Sequence, residues 1–420
     1  MKPRAGTGES SRLRERLRRL YGKPDEVKGM PDDSFTRARR GMHHFVKGTY
    51  VPTPWGDIFV ARVRHGKNHR CGNVRIGNVA SVSDDWLSRW GHFPSPRTFD
   101  HTRTIFVDTE TSGLAGAGGT LPFLIGVGYF YGDQFRIEQF FSESHAREEG
   151  MLDLVSEFVE PFNTVVTFNG KAFDIPLLET RYLLKRKESP FSRMDHLDLL
   201  HPSRQLWQLS LDNCKLQTIE RKVLGFERVD DLPGEEIPQA YFAYVRRGDP
   251  DPLYRVFRHN ADDITALAAM TYLLWVETRG EGTRGDPALD FSRGKIFGRH
   301  GETEKAIRAL ESARLKETSS HRAALIDSRL SMLYKSLGRW KEAEAVWRQM
   351  VDGHAPFHLL PYVELAKYYE HRTGDLHRAR ELVERALGEI SPRRHDDVGA
   401  LRHRLNRVNR KIERRKASKG

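Results

Sequence analysis

The residues best suited to chemistry are carboxylates in three separated stretches. Asp108-Thr-Glu110 follows the apolar run Thr104-Ile-Phe-Val. Residues i and i+2 of a strand share a face, so Asp108 and Glu110 point the same way. Two carboxylates side by side repel unless a proton or a cation sits between them, and hard oxygen ligands suit a divalent metal. Asp174 closes Thr167-Phe-Asn169-Gly170-Lys171-Ala-Phe173-Asp174, just before Ile175-Pro176. Asp is a favoured N-cap and Pro fits the first helical turn, so Asp174 alone reads as a helix cap. The third stretch is His259-Asn260-Ala-Asp262-Asp263, inside an apolar helical pattern over 253–274. His259 and Asp263 are i and i+4 and project from one helical face. Asp262 lies about a quarter-turn away and reads as a solvent-facing acid.

Each stretch has a plain structural reading: a strand end, a cap, a surface helix. As an ordered set, Asp108, Glu110, Asp174 and Asp263 could converge on two cations about 3.5–4 Å apart, a geometry that serves in-line displacement at phosphorus. His259 would orient or deprotonate the water.

The elements that must position these groups follow from periodicity. Strand patterns cover 57–63, 104–107, 123–130, 134–141, 164–168 and 196–200, with a Gly132-Asp133 hairpin turn. Helical spacing covers 148–159, 175–187, 211–223 and 253–275, and a further helix is expected around Trp86. A meander of strands followed by alternation with helices predicts an α/β fold, a mixed sheet flanked by helices. Residues 290–390 are helical throughout and repeat. Tyr334, Gly338, Trp340, Ala343, Trp347 and Met350 align with Phe297, Gly301, Thr303, Ala306, Leu310 and Ala313. A third copy holds Tyr369, Gly374, Leu376, Ala379, Val383 and Ala386, and the three glycines fall 37 and then 36 residues apart. The pattern resembles the tetratricopeptide repeat, against the plainer reading of a helical hairpin bundle.

The 420 residues suit two or three domains. Two cysteines, Cys71 and Cys214, cannot make a disulfide framework or a four-thiolate zinc site. No stretch is long and apolar enough for a membrane span, and the start is Arg-rich without an apolar signal segment. A cytoplasmic location and no membrane partner are the expectation. The net charge is +12, yet residues 1–50 hold 13 Lys/Arg against 6 Asp/Glu and residues 392–420 hold 11 against 3. Ends of +7 and +8 leave the body at −3. Basic ends suit nucleic acid, or are solvated tails. The expected organisation is a basic flexible arm over 1–48, with a short helical pattern at 11–21, and a small β-containing segment over 49–100. The main α/β domain follows over 101–278, helical repeats over 290–390 and a basic tail over 391–420.

These residues resemble the DEDD superfamily of 3′–5′ exonucleases, of ribonuclease H-like fold, and within it the YprB-type family often fused to tetratricopeptide repeats. The resemblance rests on Phe106-Val-Asp108-Thr-Glu110-Thr-Ser-Gly-Leu114, Gly118-Gly-Thr-Leu-Pro-Phe-Leu-Ile-Gly126 and Thr167-Phe-Asn-Gly-Lys-Ala-Phe-Asp174. His196-Leu-Asp-Leu-Leu-His201, Leu216-x3-Glu220, Asp231-Leu-Pro-Gly-x2-Ile-Pro238 and His259-Asn-x2-Asp263 complete it. It implies a two-metal site for Mg²⁺ or Mn²⁺ on Asp108, Glu110, Asp174 and Asp263, with hydrolysis of phosphodiester bonds from a 3′ end. His259 stands four residues before the last Asp, where one branch has Tyr; the other places its His five before. The nucleic acid would be DNA or RNA, and the repeats would bind a protein partner or guide the strand. Rival readings are a non-catalytic adaptor and a structure-specific endonuclease of the same fold.

Thr109, Asn169 and Lys171 are the candidates to touch substrate, with Asn169 holding either the substrate strand or the Asp108 loop and Lys171 reading otherwise as a solvated loop lysine. The glycine-rich loop 113–119 lacks a P-loop lysine and reads as a close-approach turn. Asp198, sharing a strand face with His196, is either a fifth acid at the metals or part of a hydrogen-bonded core group with His201. Tyr241, Phe242 and Tyr244 read as core packing in preference to a base-stacking platform.

Overall fold

The computed structural model describes residues 42, 46–82, 99–113, 119–280, 285–353 and 357–418. The expected helices at 11–21 and near Trp86, most of the 1–48 arm and the loop 114–118 lie outside them. The chain divides into two compact units after residue 276.

The strands of the first unit are β1 (Gly48–Val51), β2 (Ile58–Gly66), β3 (Arg70–Cys71), β4 (Val74–Arg75), β5 (Thr104–Thr111), β6 (Pro122–Tyr131), β7 (Gln134–Phe141), β8 (Thr164–Thr167) and β9 (Asp195–Asp198). Seven form one mixed sheet, ordered β1-β2-β7-β6-β5-β8-β9, and β3 pairs with β4 alone. Pairing is antiparallel from β1 to β5 and parallel through β5, β8 and β9. The helices are α1 (Glu148–Val159), α2 (Asp174–Leu184), α3 (Leu200–Trp207), α4 (Leu216–Ile219, continued by a π turn over Glu220–Leu224), α5 (Ile237–Arg247) and α6 (Asp251–Arg279).

Alternation along the central strands sorts side chains onto two faces. Ile105, Val107, Ile125, Val127 and Tyr129 join Val155, Phe158, Leu178 and Tyr182 of α1 and α2 in one core. The other face of β6 meets α6. A Cβ at Gly126 would fall 2.1 Å from Asn260 Oδ1, and one at Gly128 2.4 Å from Ile264 Cγ2. These two glycines remove the side chains that would hold α6 off the sheet. β5 pairs with β8 only over Thr104–Phe106, so its acid-bearing end runs on beyond the parallel ladder.

Three local readings are corrected. The helix expected from 211 begins at Leu216, because Asn213 Oδ1 accepts from Lys215 N–H (3.1 Å) and Thr218 Oγ1 (2.7 Å) and holds a turn instead. The strand expected over 196–200 ends at Asp198, whose carboxylate accepts from Leu200 N–H (3.0 Å) and starts α3. β1 and the β3–β4 hairpin had no clear sequence signal. Tyr241 and Tyr244 are buried as expected, while Phe242 is exposed.

The second unit is helical: α7 (Pro287–Arg299), α8 (Thr303–Lys316), α9 (Ser320–Ser336), α10 (Trp340–Asp352), α11 (Leu359–Tyr368, continued by a π turn over Tyr369–Thr373), α12 (Leu376–Glu389) and α13 (His395–Ala417). Gly301, Gly338 and Gly374 follow the first helix of each successive pair with φ of 73°, 71° and 74°, a conformation glycine reaches without strain. Ala306, Ala343 and Ala379 are fully buried in the seams between paired helices. The basic stretch 391–420 is not simply a tail. Leu401, Leu405, Val408 and Ile412 form one side of α13 and join the core, while Lys and Arg fill its other faces. Among the described residues, no helix is long and apolar enough to cross a membrane.

Candidate active site

Asp108 and Glu110 leave β5 on the face covered by α6. Asn260 of α6 fixes the first: its Nδ2 donates to Asp108 Oδ2 at 2.8 Å and to Asp108 O at 3.2 Å. Gln139 of β7 sets that amide in turn, donating to Asn260 Oδ1 at 2.9 Å and to Phe257 O at 2.7 Å. Asp174 comes from the opposite face. It is the first residue of α2, not its cap; the N-cap is Phe173 and makes no side-chain capping bond. Asp174 Oδ1 instead accepts from Thr109 Oγ1 at 2.5 Å. The strand end is thus straddled, with α6 on one side and the start of α2 on the other.

Asp263 and His259 come from one face of α6, as the i, i+4 spacing requires. His259 Nε2 lies 3.5 Å from Asp263 Oδ2, and its Nδ1 lies 2.8 Å from Asp231 Oδ1. Glu110, His259 and Asp263 each bring one potential ligand atom to within 4.8 Å of the others. Asp262 is half-buried, a correction to its solvent-facing reading; burial pushes its carboxyl up against the pull of Arg228 and Arg258.

The electrostatics are those of crowded, under-compensated acids. Burial drives the Asp108 carboxyl well above the usual range, and the charges of Asp263, Glu110 and Asp174 push it further. Burial raises Glu110 to about 8, with His259 opposing and Asp263 and Asp174 adding. Burial raises Asp174 to about 6 despite the Thr109 hydrogen bond. Burial pulls the His259 imidazole down, yet Asp263, Glu110 and Asp231 together hold it above its ordinary value. Glu110 Oε1 is buried with no hydrogen-bond partner among the described residues. An orphaned buried carboxylate oxygen among like charges fits a divalent cation, and the donor set of hard oxygens with one imidazole suits that chemistry.

One charged group beside the acids had no place in the sequence reading. Arg228, in the loop after α4, is 6% exposed at its side chain. It binds Glu220 through Nη2 (2.6 Å) and Nε (2.8 Å), and Nη2 also donates to Asp263 Oδ1. Its Nη1 lies 3.5 Å from Asp231 Oδ2. A lone loop arginine carries no motif; its spacing to Glu220 and Asp231, both in quoted motifs, was the available signal.

Asp198 does not join the group of Glu110, His259 and Asp263. Its Oδ1 accepts from Asn169 N–H (2.7 Å) and its Oδ2 from Lys171 N–H (3.1 Å), clamping the loop before Asp174. Asn169 sits there at φ 64°, a left-handed conformation that Asn tolerates. Lys171 is exposed, and Phe173 is exposed beside Asp174. His196 Nε2 meets Thr167 Oγ1 at 2.8 Å, and His201 is exposed.

Residues 105–275 match the RNase H superfamily model. The chain is 30% identical over 356 residues to the "Uncharacterized protein YprB" of Bacillus subtilis (strain 168), covering 84% of this chain and 86% of that one. The chain belongs to the YprB family, with an RNase H superfamily domain. The mixed sheet with flanking helices is consistent with that fold, a nuclease-type fold. RNase H-like nucleases act on nucleic acid and generally use divalent metals. The matched span of this YprB-family chain holds all four acids, together with His259, Arg228 and Asp231.

Proposed function

We propose that the chain is a metal-dependent nuclease that removes nucleotides from the 3′ end of DNA or RNA. The observation that carries this is the acid cluster. Glu110, His259 and Asp263 bring ligand atoms within 4.8 Å of one another, the charges of Asp108, Asp174 and Asp263 act on Glu110 or on each other, and one buried oxygen of Glu110 has no partner among the described residues. Asp108, Glu110, Asp174 and Asp263 would hold two Mg²⁺ or Mn²⁺ ions. Bound there, such ions polarise the phosphate and lower the pKa of water. The chain's own residues supply the rest. Asn260 holds Asp108, and Thr109 holds Asp174, each by a hydrogen bond. In its neutral form with the hydrogen on Nδ1, toward Asp231 Oδ1 at 2.8 Å, His259 would take a proton from the attacking water at Nε2. The Asn169–Lys171 loop, clamped by Asp198, offers Lys171 to the substrate phosphate. The helical unit, with its tetratricopeptide-like repeat positions, is the partner-binding or strand-guiding part.

The test is a degradation assay on 5′-labelled single-stranded DNA and RNA with Mn²⁺, Mg²⁺ or chelator. The expected result is a metal-dependent ladder shortening from the 3′ end, absent in Asp108→Ala and Asp174→Ala. Internal cuts, persisting on substrate with a blocked 3′ end, would reassign the chain as an endonuclease. The second reading, a non-catalytic adaptor, draws on Arg228, which already gives Asp263 a cation. It predicts binding without cleavage under either metal.

A further inference from the structure

The helical unit contains a polar cavity of about 420 Å³ at the α7–α8 hairpin. Its lining includes Arg279, Arg293, Lys305, Arg308 and Lys316, with Asp290 the one acid among the described lining residues. Three carboxylates offset part of this charge. Arg293 pairs with Glu277 and with Asp290, and Lys305 pairs with Glu302. Asp290 is further satisfied by Ser312, which donates to its Oδ2 at 2.7 Å. Among the described residues, Arg308 and Lys316 have no hydrogen-bonding or ionic partner. Arg293 is 5% exposed, and its Nε is buried without a partner among the described residues. A buried arginine with an unmet N–H, in a cavity with surplus positive charge, is a site prepared for an anion.

The shape of the charge distinguishes the anion. Lys305, Arg308, Ser312 and Lys316 follow one another at intervals of three, four and four along α8. They therefore share one helix face, and the stripe is about 16 Å long. A single phosphate ion would call for cations around one point. A stripe suits a row of negative charges at regular spacing, which is a phosphodiester backbone. We propose that this face of α8, with Arg293 behind it, binds the backbone of a nucleic-acid strand. The proposal rests on the reading of the substrate as nucleic acid, and it adds a binding site remote in sequence from the acids.

The experiment measures binding in chelator, so that cleavage plays no part. Full-length protein is titrated against a 5′-fluorescein 12-nucleotide oligo(U) and oligo(dT), by anisotropy, over a range of salt concentrations. Arg308→Glu/Lys316→Glu is compared with Lys341→Glu/Arg348→Glu, an equal charge reversal on α10. Both pairs lie on exposed positions, and unchanged thermal melting serves as the check on folding. The α8 pair should weaken binding at least tenfold relative to the α10 pair and reduce the log–log salt slope by about 1.4, two single-strand contacts' worth. Equal effects of the two pairs would overturn the site, because only total charge would then matter. Binding of AMP or inorganic phosphate as tight as that of the oligonucleotide would overturn the strand assignment, as would equally strong competition by poly-L-glutamate. An inactive nuclease centre would leave the outcome of this measurement unaffected.

Discussion

The two units each bury a glutamate, and they treat it in opposite ways. In the second unit Glu370 is buried at the π turn after α11, within 2.8–3.4 Å of Arg404, Arg407, Lys411 and His371. Burial works against its charge, but the bonds from Arg407 and Lys411 outweigh it and hold the carboxyl down at about 2. In the first unit Glu110 is pushed up to about 8, and one of its oxygens has no hydrogen-bond partner among the described residues. Glu370 is a finished structural contact that fastens α13. Glu110 is an unfinished one. Burial of an acid alone therefore says little about function; burial without matching cations is what points to a missing ligand.

The largest expected effect lies on the unfinished side. Asp108→Ala should lower metal-dependent cleavage at least about 10³-fold, roughly 4 kcal/mol of barrier, while leaving the melting temperature within a few degrees. Wild-type cleavage rates in that variant would break the comparison at once.

On the finished side, Glu370→Gln leaves two arginines and a lysine around a neutral amide. Removing one partner of a buried ionic group costs about 3 kcal/mol. The second unit should melt earlier, followed through the buried Trp347 fluorescence. The pH sign follows from the depressed carboxyl. Its stabilisation is present above the ordinary glutamate range near 4.5 and is lost as pH falls from there through about 2. The variant should lack that acid-side loss.

Much of this contrast was legible in the sequence, but unevenly. The acids could be found because strand and helix periods place i, i+2 and i, i+4 residues on one face, and β5 and α6 obey those periods. The repeat glycines and alanines were legible because each meets a local steric demand. The partners that complete or withhold charge were not. Arg228 reaches Asp263 across 35 positions, and Glu370 meets Arg407 across 37. Such pairings depend on tertiary geometry and leave no periodic trace. The apolar side of α13 was hidden for a related reason: in so basic a segment, four spaced aliphatics read as incidental.

Arg228 tests whether the unfinished side is held open deliberately. Its guanidinium takes Asp263 Oδ1 and ties that acid to Glu220, leaving Oδ2 toward His259. Residues that orient ligands in this way typically contribute 10- to 100-fold to metal affinity. Arg228→Met should weaken Mn²⁺ binding, measured by calorimetry, by that factor, with partial recovery in Arg228→Lys. Tighter binding in Arg228→Met would instead show the arginine to be a competitor for Asp263.

The smallest effect is also the sharpest, because it reverses the usual direction of mutation. Folded Glu110 holds its proton to about pH 8, whereas an unfolded glutamate gives it up near 4.5. The folded state thus binds the extra proton, and its advantage is full below 4.5 and lost as pH rises through about 8. At pH 8 without metal, the native protein carries an uncompensated buried charge. Glu110→Gln keeps the shape and removes that charge, so the metal-free variant should be more stable than wild type there by about 1–2 kcal/mol. The gain should shrink toward pH 5. Added Mn²⁺ should raise the melting temperature of wild type and do much less for the variant. A Glu110→Gln protein no more stable than wild type at pH 8 would mean that Glu110 is already satisfied, and the difference between the two buried glutamates would disappear.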